Sequence, residues 1–231
     1  MIYCVSDIHG NYDKYKCILE QIHLGTADEL YVLGDVVDRG PQPMAILQDM
    51  MMHPNVIPLI GNHEFMAMQC LQLLMQEITD ENIARFADKI QGLSQWMNVG
   101  GTATVEDFRR LSREERYDIL EYLEEFSAFA EVSAGGNDYV LVHAGLAGFT
   151  PERPLEDYAL HELLFTAPAY GRVYYPDRFL VTGHLPTRNI ADNADPDRIF
   201  RANNHIAIDC GCEFGGPLAA ICLDTGEEFY A

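Results

Sequence analysis

The chain has 231 residues, of which 48% are hydrophobic and 22% are charged. This composition is ordinary for a folded protein and excludes a disordered or fibrous chain. Fifteen basic and 36 acidic residues give a formal net charge of −21, which argues against nucleic acid and anionic membranes as partners, because both carry negative charge.

Short apolar runs and helical patterns alternate in the first third of the chain. Residues 1–5, 29–33 and 56–60 are apolar runs, and helical patterns separate them at residues 12–22 and 44–52. Strands that alternate with helices predict a βαβαβ unit with a parallel sheet. The loops that follow these strands should then lie together at one edge of the sheet.

The N-terminal residues include neither a basic region nor an apolar stretch of signal-peptide length. No run approaches the roughly 18 apolar residues that a membrane-spanning helix needs. The six cysteines are too sparse for a disulfide scaffold. We therefore expect a cytoplasmic protein with free thiols.

The middle of the chain has a helical character. No proline occurs between Pro58 and Pro151, and the segment is rich in residues that favour helices. We expect a helical insertion at about residues 65–130 within a single domain that spans residues 1–231. Ser112 to Glu115 match a capping box, which predicts the start of a helix. The pairs Gly100-Gly101 and Gly135-Gly136 predict breaks.

The last third returns to short β runs between clusters of glycine, proline and asparagine. These runs predict a second sheet, and they are residues 139–142, 179–182, 206–209, 218–223 and 227–230. The whole chain is therefore predicted to be of the α/β class, with two central β-sheets and a helical cap.

Polar residues follow each of the first three predicted strands. They lie in the motifs Asp7-Ile8-His9-Gly10, Gly34-Asp35-Val36-Val37-Asp38-Arg39-Gly40 and Gly61-Asn62-His63-Glu64. Carboxylates crowded at one edge of a sheet repel each other unless a cation lies among them. Two further histidines follow later β runs, in His143-Ala144-Gly145 and Gly183-His184.

This ordered set of motifs resembles the metallophosphoesterases of the calcineurin-like superfamily, and in particular the bacterial phosphoprotein phosphatase branch. The resemblance covers nearly the whole chain. It implies the metallo-dependent phosphatase fold, with two mixed β-sheets flanked by helices. It also implies an enzyme that hydrolyses phosphoesters.

The resemblance implies a site for two divalent metal ions. One ion would be bound by Asp7, His9 and Asp35, and the second by Asp35, Asn62, His143 and His184, so that Asp35 bridges them. Carboxylate, amide and imidazole donors without thiolate suit manganese, iron or zinc. We take manganese as the first choice and iron or zinc as alternatives.

The resemblance also implies roles around these ions. A metal-bound hydroxide would attack phosphorus. His63 would protonate the leaving oxygen and be oriented by Asp38. Arg39 and Asn62 would bind the substrate, with the guanidinium of Arg39 on phosphoryl oxygens. The alternative for Arg39 is a surface salt bridge to Asp38.

Two positions depart from the pattern of protein phosphatases in this family. Ile60 and Ala167 stand where relatives often have substrate-binding arginines, so capture of a phosphomonoester should be weakened. Arg172 or Arg178 could compensate from a nearby loop. Cys210-Gly211-Cys212 resembles half of a zinc site, but we interpret it as buried thiols because no second cysteine pair exists.

These residues lead to a ranked set of functions. The first choice is a metal-dependent serine/threonine protein phosphatase whose substrate is a phosphorylated protein. The alternative is a hydrolase of dinucleoside polyphosphates or of another small phosphorylated molecule, because the core machinery does not specify the leaving group. The third candidate is a regulator that binds metal without turnover. The sequence makes no prediction of oligomeric state.

Overall fold

The computed structural model describes residues 1–76, 91–191 and 193–231. These residues form two five-stranded β-sheets. Each sheet contains both parallel and antiparallel strand pairs. Helices pack on the sheets through a large cluster of buried residues. The predicted class, two mixed β-sheets flanked by helices, is confirmed.

The first sheet contains the predicted βαβαβ unit. Its parallel strands are β1 (Ile2–Val5), β2 (Glu29–Val32) and β3 (Val56–Pro58), and its helices are α1 (Tyr12–Ile22) and α2 (Pro43–Met51). Val5 is opposite Val32, and Val32 is opposite Pro58, so the three strands end at one level. The loops that carry the polar motifs therefore start from the same edge.

The last two strands also belong to the first sheet. They are β9 (Ala219–Cys222) and β10 (Glu228–Tyr230), and the sheet order is β10-β9-β1-β2-β3. The prediction that residues 218–223 and 227–230 lie in the second sheet was therefore wrong. Strand β9 pairs antiparallel with β1, with Ile221 opposite Cys4. A residue pattern indicates a strand, but tertiary packing decides which strand it pairs with.

The second sheet has the order β4-β5-β6-β8-β7. Its strands are β4 (Phe129–Ala134), β5 (Asn137–Val142), β6 (Phe179–Thr182), β7 (Phe200–Ala202) and β8 (His205–Ala207). Strands β5, β6 and β8 are parallel. The sequence did not predict β4 and β7. The predicted break at Gly135-Gly136 is the turn between β4 and β5, where both glycines have positive φ.

Helices occupy much of the segment predicted as an insertion. They are α3 (Asn62–Leu74), α4 (Thr102–Phe108) and α5 (Arg113–Glu124), and residues 91–96 are also helical. Residues 77–90 of the predicted insertion lie outside the described residues. The capping box is confirmed, because the Ser112 hydroxyl accepts the N–H of Glu115 and the Glu115 carboxylate accepts the N–H of Ser112. Gly100, with φ of 120°, forms the predicted break.

The two sheets pack against each other through a second buried cluster. It includes Cys4 and Leu33 from the first sheet and its loops, and Leu141, Val181 and Ile206 from the second. The cysteines are free thiols, as predicted. In the part of the chain that the structure describes, no helix has the length and apolar character needed to cross a membrane.

Candidate metal centre

The polar motifs meet where the parallel strands of both sheets end. Asp7 and His9 follow β1, Asp35 follows β2 and Asn62 follows β3, while His143 and His184 follow β5 and β6 of the second sheet. All of these side chains are buried except that of His184, which is partly exposed. The structure thus brings together the six residues that the sequence predicted as metal ligands.

Several of these residues have left-handed backbone conformations. The φ angles of Asp7, His9, Asp35 and His184 are 53°, 46°, 54° and 67°. Such conformations of residues other than glycine are strained and are concentrated at functional sites. A hydrogen bond of 2.9 Å from the N–H of His9 to the carbonyl of Asp35 links two of these loops. The surrounding contacts thus maintain a backbone that the chain would not adopt on its own.

Asp35 lies between two groups of potential ligands. Its Oδ2 is 3.6 Å from Nε2 of His9, and its Oδ1 is 3.4 Å from Nε2 of His143. Potential metal-binding groups form around it, one with His9 and His63 and another with His143 and His184. A carboxylate with one oxygen toward each group has the arrangement expected of a bridging ligand.

The imidazoles of His9 and His143 are oriented by backbone carbonyls. Nδ1 of His9 lies 2.9 Å from the carbonyl of Val37, and Nδ1 of His143 lies 2.7 Å from that of Leu33. When Nδ1–H donates to a carbonyl, Nε2 carries a lone pair, and here it faces Asp35. Burial lowers the pKa of both imidazoles. Both are therefore neutral at physiological pH, which is the form that binds metals.

The second group includes an amide oxygen. Oδ1 of Asn62 lies 2.9 Å from Nε2 of His143 and 3.0 Å from Nδ1 of His184. In the tautomer whose Nδ1–H donates to the carbonyl of Leu33, Nε2 of His143 bears a lone pair, and it faces the lone pairs of Oδ1 of Asn62. Two lone-pair donors this close repel each other unless a cation lies between them. The donors present therefore fit a divalent metal ion.

The carboxylates of the site also require positive charge. Burial raises the pKa of Asp7, with Asp35 adding to the effect. Burial likewise raises the pKa of Asp35. Asp7 accepts hydrogen bonds from the Ser6 hydroxyl and from the N–H of His184 at 2.9 Å. Burial removes the water that would stabilise the negative charge of these carboxylates. A metal ion would favour their charged form, because its positive charge takes the place of that solvation.

His63 lies beside the metal-binding groups and is paired with Asp38. Nδ1 of His63 is 2.6 Å from Oδ2 of Asp38, whereas Nε2 is 3.9 Å from Oδ2 of Asp35. Asp38 also accepts hydrogen bonds from Nε1–H of Trp96 at 2.6 Å and from the hydroxyl of Thr104 at 2.5 Å. Asp38 is thus fixed by three donors, and it directs Nε2 of His63 toward the site.

Arg39 is also at the site, where its guanidinium contacts Glu213 and His63. Nη1 forms an ion pair with Glu213, and Nη2 lies 3.2 Å from Nε2 of His63. Asp38 points instead toward His63, Trp96 and Thr104. The alternative of a surface salt bridge between Arg39 and Asp38 was therefore wrong.

Glu64 is a positioning residue for which the sequence motif predicted no role. Its buried carboxylate accepts the N–H groups of Asp35, Val36, Val37 and Gly61 at 2.7 to 3.0 Å. It therefore holds the loop after β2 against the start of α3. Its place at the third position of a helix that follows a glycine was the available signal, because a glutamate there accepts backbone N–H groups.

The two departures from the family pattern lie in different surroundings. Ile60 is buried in the hydrophobic core, and Ala167 is exposed. Arg172 lies over the rings of Phe149 and Tyr174. Arg178 pairs with Glu131. Both arginines proposed as compensation thus have partners elsewhere.

The model of the calcineurin-like phosphoesterase family matches residues 1–224. The chain belongs to this family. The predicted resemblance to calcineurin-like metallophosphoesterases is thereby confirmed. The prediction of an enzyme that hydrolyses phosphoesters agrees with the description of this family. Family membership also implies that the protein binds divalent metal ions.

Curated relatives with similar sequences have a common name. A symmetrical bis(5'-nucleosyl)-tetraphosphatase of Acidovorax sp. (strain JS42) is 33% identical over 67% of this chain and 47% of its own length. One of Neisseria gonorrhoeae (strain NCCP11945) is 26% identical over 97% of this chain and 93% of its own. In the alignment with the Acidovorax protein, the chain thus spans about half of that relative.

Solved structures share the fold. A putative diadenosine tetraphosphatase has a TM-score of 0.68 and 17% identity, and the match covers 100% of this chain and 92% of the other. A serine/threonine phosphatase from Saccharomyces cerevisiae has a TM-score of 0.64 and 16% identity, with 100% of this chain and 79% of the other covered. At these identities the similarity supports the fold alone, so it does not distinguish the two candidate substrates.

Proposed function

We propose that the chain is a metal-dependent hydrolase of dinucleoside polyphosphates. The observation that carries the proposal is the pair of ligand groups that share Asp35 beside the Asp38–His63 pair, in a chain similar to symmetrical bis(5'-nucleosyl)-tetraphosphatases. From the sequence, a protein phosphatase was the first choice and this activity was the alternative. The names of the relatives favour the alternative.

In this proposal, Asp7, His9 and Asp35 bind one divalent ion, and Asp35, Asn62, His143 and His184 bind the other. Manganese is our first choice, with iron or zinc as alternatives. Bound ions supply a Lewis acid for phosphoryl oxygens and lower the pKa of a water molecule. The neutral imidazoles and the bridging position of Asp35 support this assignment.

His63 acts as the proton donor to the leaving oxygen. Its Nδ1 is 2.6 Å from Oδ2 of Asp38, which keeps the ring oriented. Its Nε2 then faces the position of the substrate. For a dinucleoside polyphosphate, the leaving oxygen belongs to a nucleotide phosphate, and protonation there neutralises developing charge.

The weak cationic character of the site supports a dinucleoside polyphosphate as the substrate. The guanidinium of Arg39 is paired with Glu213, and Ile60 and Ala167 occupy positions where protein phosphatases of the family often have arginines. A terminal phosphate with two charges gains most from such arginines. An internal phosphate of a polyphosphate chain needs fewer of them.

Turnover of two substrates tests the proposal. With Mn²⁺ present, we expect diadenosine tetraphosphate to be cleaved into two molecules of ADP, with a higher kcat/KM than that for a phosphoserine or phosphothreonine peptide. Chromatography of the nucleotide products and release of inorganic phosphate measure the two reactions. A faster reaction on the peptide would return the protein phosphatase to first place. Metal binding without turnover of either substrate would favour the non-catalytic regulator.

A further inference from the structure

A buried glutamate lies at the metal centre on a turn that no motif covers. Glu213 is in a short 3₁₀ turn, Cys212–Phe214, between β8 and β9. Gly211 before the turn and Gly215 after it have φ of 74° and 83°. The turn lies against the loops after β1 and β2, where Glu213 approaches His9 and Arg39. The side chain of Glu213 is only 3% exposed, and its Oε1 is 3.9 Å from Nε2 of His9.

Glu213 offsets the charge of Arg39. One oxygen of the carboxylate pairs with Nη1 of Arg39. The guanidinium is fixed further by contacts with Val99, with His63 and with the ring of Phe214, whose centroid is 5.5 Å away. The guanidinium N–H groups of Arg39 that could bind an anion thus lie next to the carboxylate of Glu213. A phosphoryl oxygen that approaches Arg39 meets both the positive and the negative group.

The second carboxylate oxygen has no partner among the described residues. Oε2 of Glu213 is buried and accepts no hydrogen bond from the described part of the chain. The ion pair with Arg39 therefore uses only one of its two oxygens. No hydrogen bond from the described residues therefore offsets the negative charge of this oxygen beside Arg39. An anion placed there is repelled more strongly as its own charge increases.

We propose that Glu213 is a specificity-determining residue that disfavours dianionic phosphomonoesters relative to phosphates with a single negative charge. A phosphomonoester carries close to two negative charges above a pH of about 6. A phosphodiester, or an internal phosphate of a polyphosphate chain, carries one. A fixed carboxylate weakens the binding of the more highly charged group by repulsion, and the site thereby selects against that group. This inference rests on the proposed function, because it explains how the same site prefers internal phosphates.

A purely structural role of Glu213 leads to a different expectation. If Glu213 only positioned Arg39, then removal of its charge would weaken the binding of every phosphate to a similar extent. If it repels charge, then removal should help the dianion much more than the monoanion. The ratio between two substrates that share a leaving group separates these roles, because changes in metal loading and in the proton donor affect both substrates.

The test uses the Mn²⁺-loaded protein with p-nitrophenyl phosphate as the monoester and bis(p-nitrophenyl) phosphate as the diester. In Glu213→Gln, we expect the ratio of kcat/KM for the monoester to that for the diester to rise at least about tenfold. Glu213→Ala should raise the ratio in the same direction, and Glu213→Asp should keep it near that of the parent protein. The control is Glu131→Gln, which removes a glutamate paired with Arg178 at the opposite end of β6 from His184.

Binding of inorganic phosphate gives a readout without turnover. Calorimetry should show that the Mn²⁺-loaded Glu213→Gln variant binds inorganic phosphate more tightly than the parent protein at pH 8, where phosphate is a dianion. An unchanged or lower substrate ratio in both neutral variants, or unchanged phosphate affinity, would overturn the proposal. If diadenosine tetraphosphate is cleaved while the ratio is unchanged, then only this inference fails. If it is not cleaved while the ratio rises, then only the proposed substrate fails.

Discussion

Glu64 stabilises the loop that carries Asp35 through backbone hydrogen bonds alone. We expect Glu64→Gln to lower the free energy of unfolding by about 3 kcal/mol, because a neutral amide offers one acceptor oxygen and places an NH₂ group against N–H donors. Urea unfolding measures the change. Glu115→Gln is the matched control, since Glu115 accepts one N–H in an exposed capping box, and a much smaller effect is expected. Equal losses in the two variants would show that the buried carboxylate has no special role.

His63 should matter most when the leaving group is poor. We expect His63→Asn to lower kcat on phenyl phosphate by about 10²–10⁴-fold, because this leaving oxygen requires a proton. The loss on p-nitrophenyl phosphate should be smaller, since that leaving group departs without one. Steady-state kinetics with Mn²⁺ measure both. Equal losses on the two esters would contradict the role of a proton donor and would indicate a metal ligand instead, consistent with the position of His63 near Asp35.

The helical segment before α4 contributes to the site through Trp96. The ring of Trp96 is fully buried, and its Nε1–H reaches Asp38. A Cβ atom on Gly101 would lie 2.5 Å from this ring. The backbone of Gly101 is ordinary, with φ of −62°, so a glycine is required here by space and not by conformation. The close approach of Gly101 therefore sets the position of the indole.

We expect Gly101→Ala to displace Trp96, to loosen Asp38 and to lower kcat by at least about tenfold, with little change in metal affinity. Gly92→Ala is the matched control, because a Cβ at Gly92 would meet no atom within 4 Å. In that helical segment it should be neutral or slightly stabilising. Tryptophan fluorescence and kcat measure the two effects. Normal kcat in Gly101→Ala would exclude a contribution of this segment to catalysis.

Most elements predicted from local patterns agree with the structure, while the sheet to which β9 and β10 belong was predicted wrongly. Helix α1 has the predicted bounds, and β6 does as well. Strand β4 was missed because residues 129–134 adjoin a long helical pattern, and β9 was assigned to the other sheet. Hydrophobic alternation is a local signal, whereas the partner of a strand depends on residues far away in the chain.

The same distinction applies to the site. The six proposed ligands follow predicted strands, so their meeting at one edge could be predicted from the parallel topology. Glu213 could not be predicted, because its partner Arg39 is 174 residues away and the neighbouring Cys210-Gly211-Cys212 drew attention to thiols. Trp96 was missed for a similar reason, since no local pattern links it to Asp38.

Bound metal should stabilise the whole molecule, because the proposed ligands come from both sheets. With Mn²⁺ at about 100 times its dissociation constant, we expect a gain of about 2.7 kcal/mol over the protein in EDTA. For a protein of this size, that gain raises Tm by roughly 5–10 °C. Asp35→Asn should abolish the increase, because the bridging carboxylate is lost. Differential scanning calorimetry measures the shift.

Asp138→Asn is the control for this measurement, since Asp138 is exposed and accepts a hydrogen bond from Ser133 in the β4–β5 hairpin. Its response to Mn²⁺ should match that of the parent protein. A full increase of Tm in Asp35→Asn, or none in the parent protein with manganese, iron or zinc, would contradict the proposed ligand set.

The position of β9 has a consequence for how the protein is made. During synthesis β1 emerges more than 200 residues before β9, which is its second neighbour in the sheet. Until β9 is present, the edge of β1 that faces it has unpaired N–H and C=O groups, and an exposed strand edge of this kind promotes aggregation. Strand β9 must therefore be synthesised before this sheet can close, and a variant that lacks the β9–β10 hairpin should be insoluble.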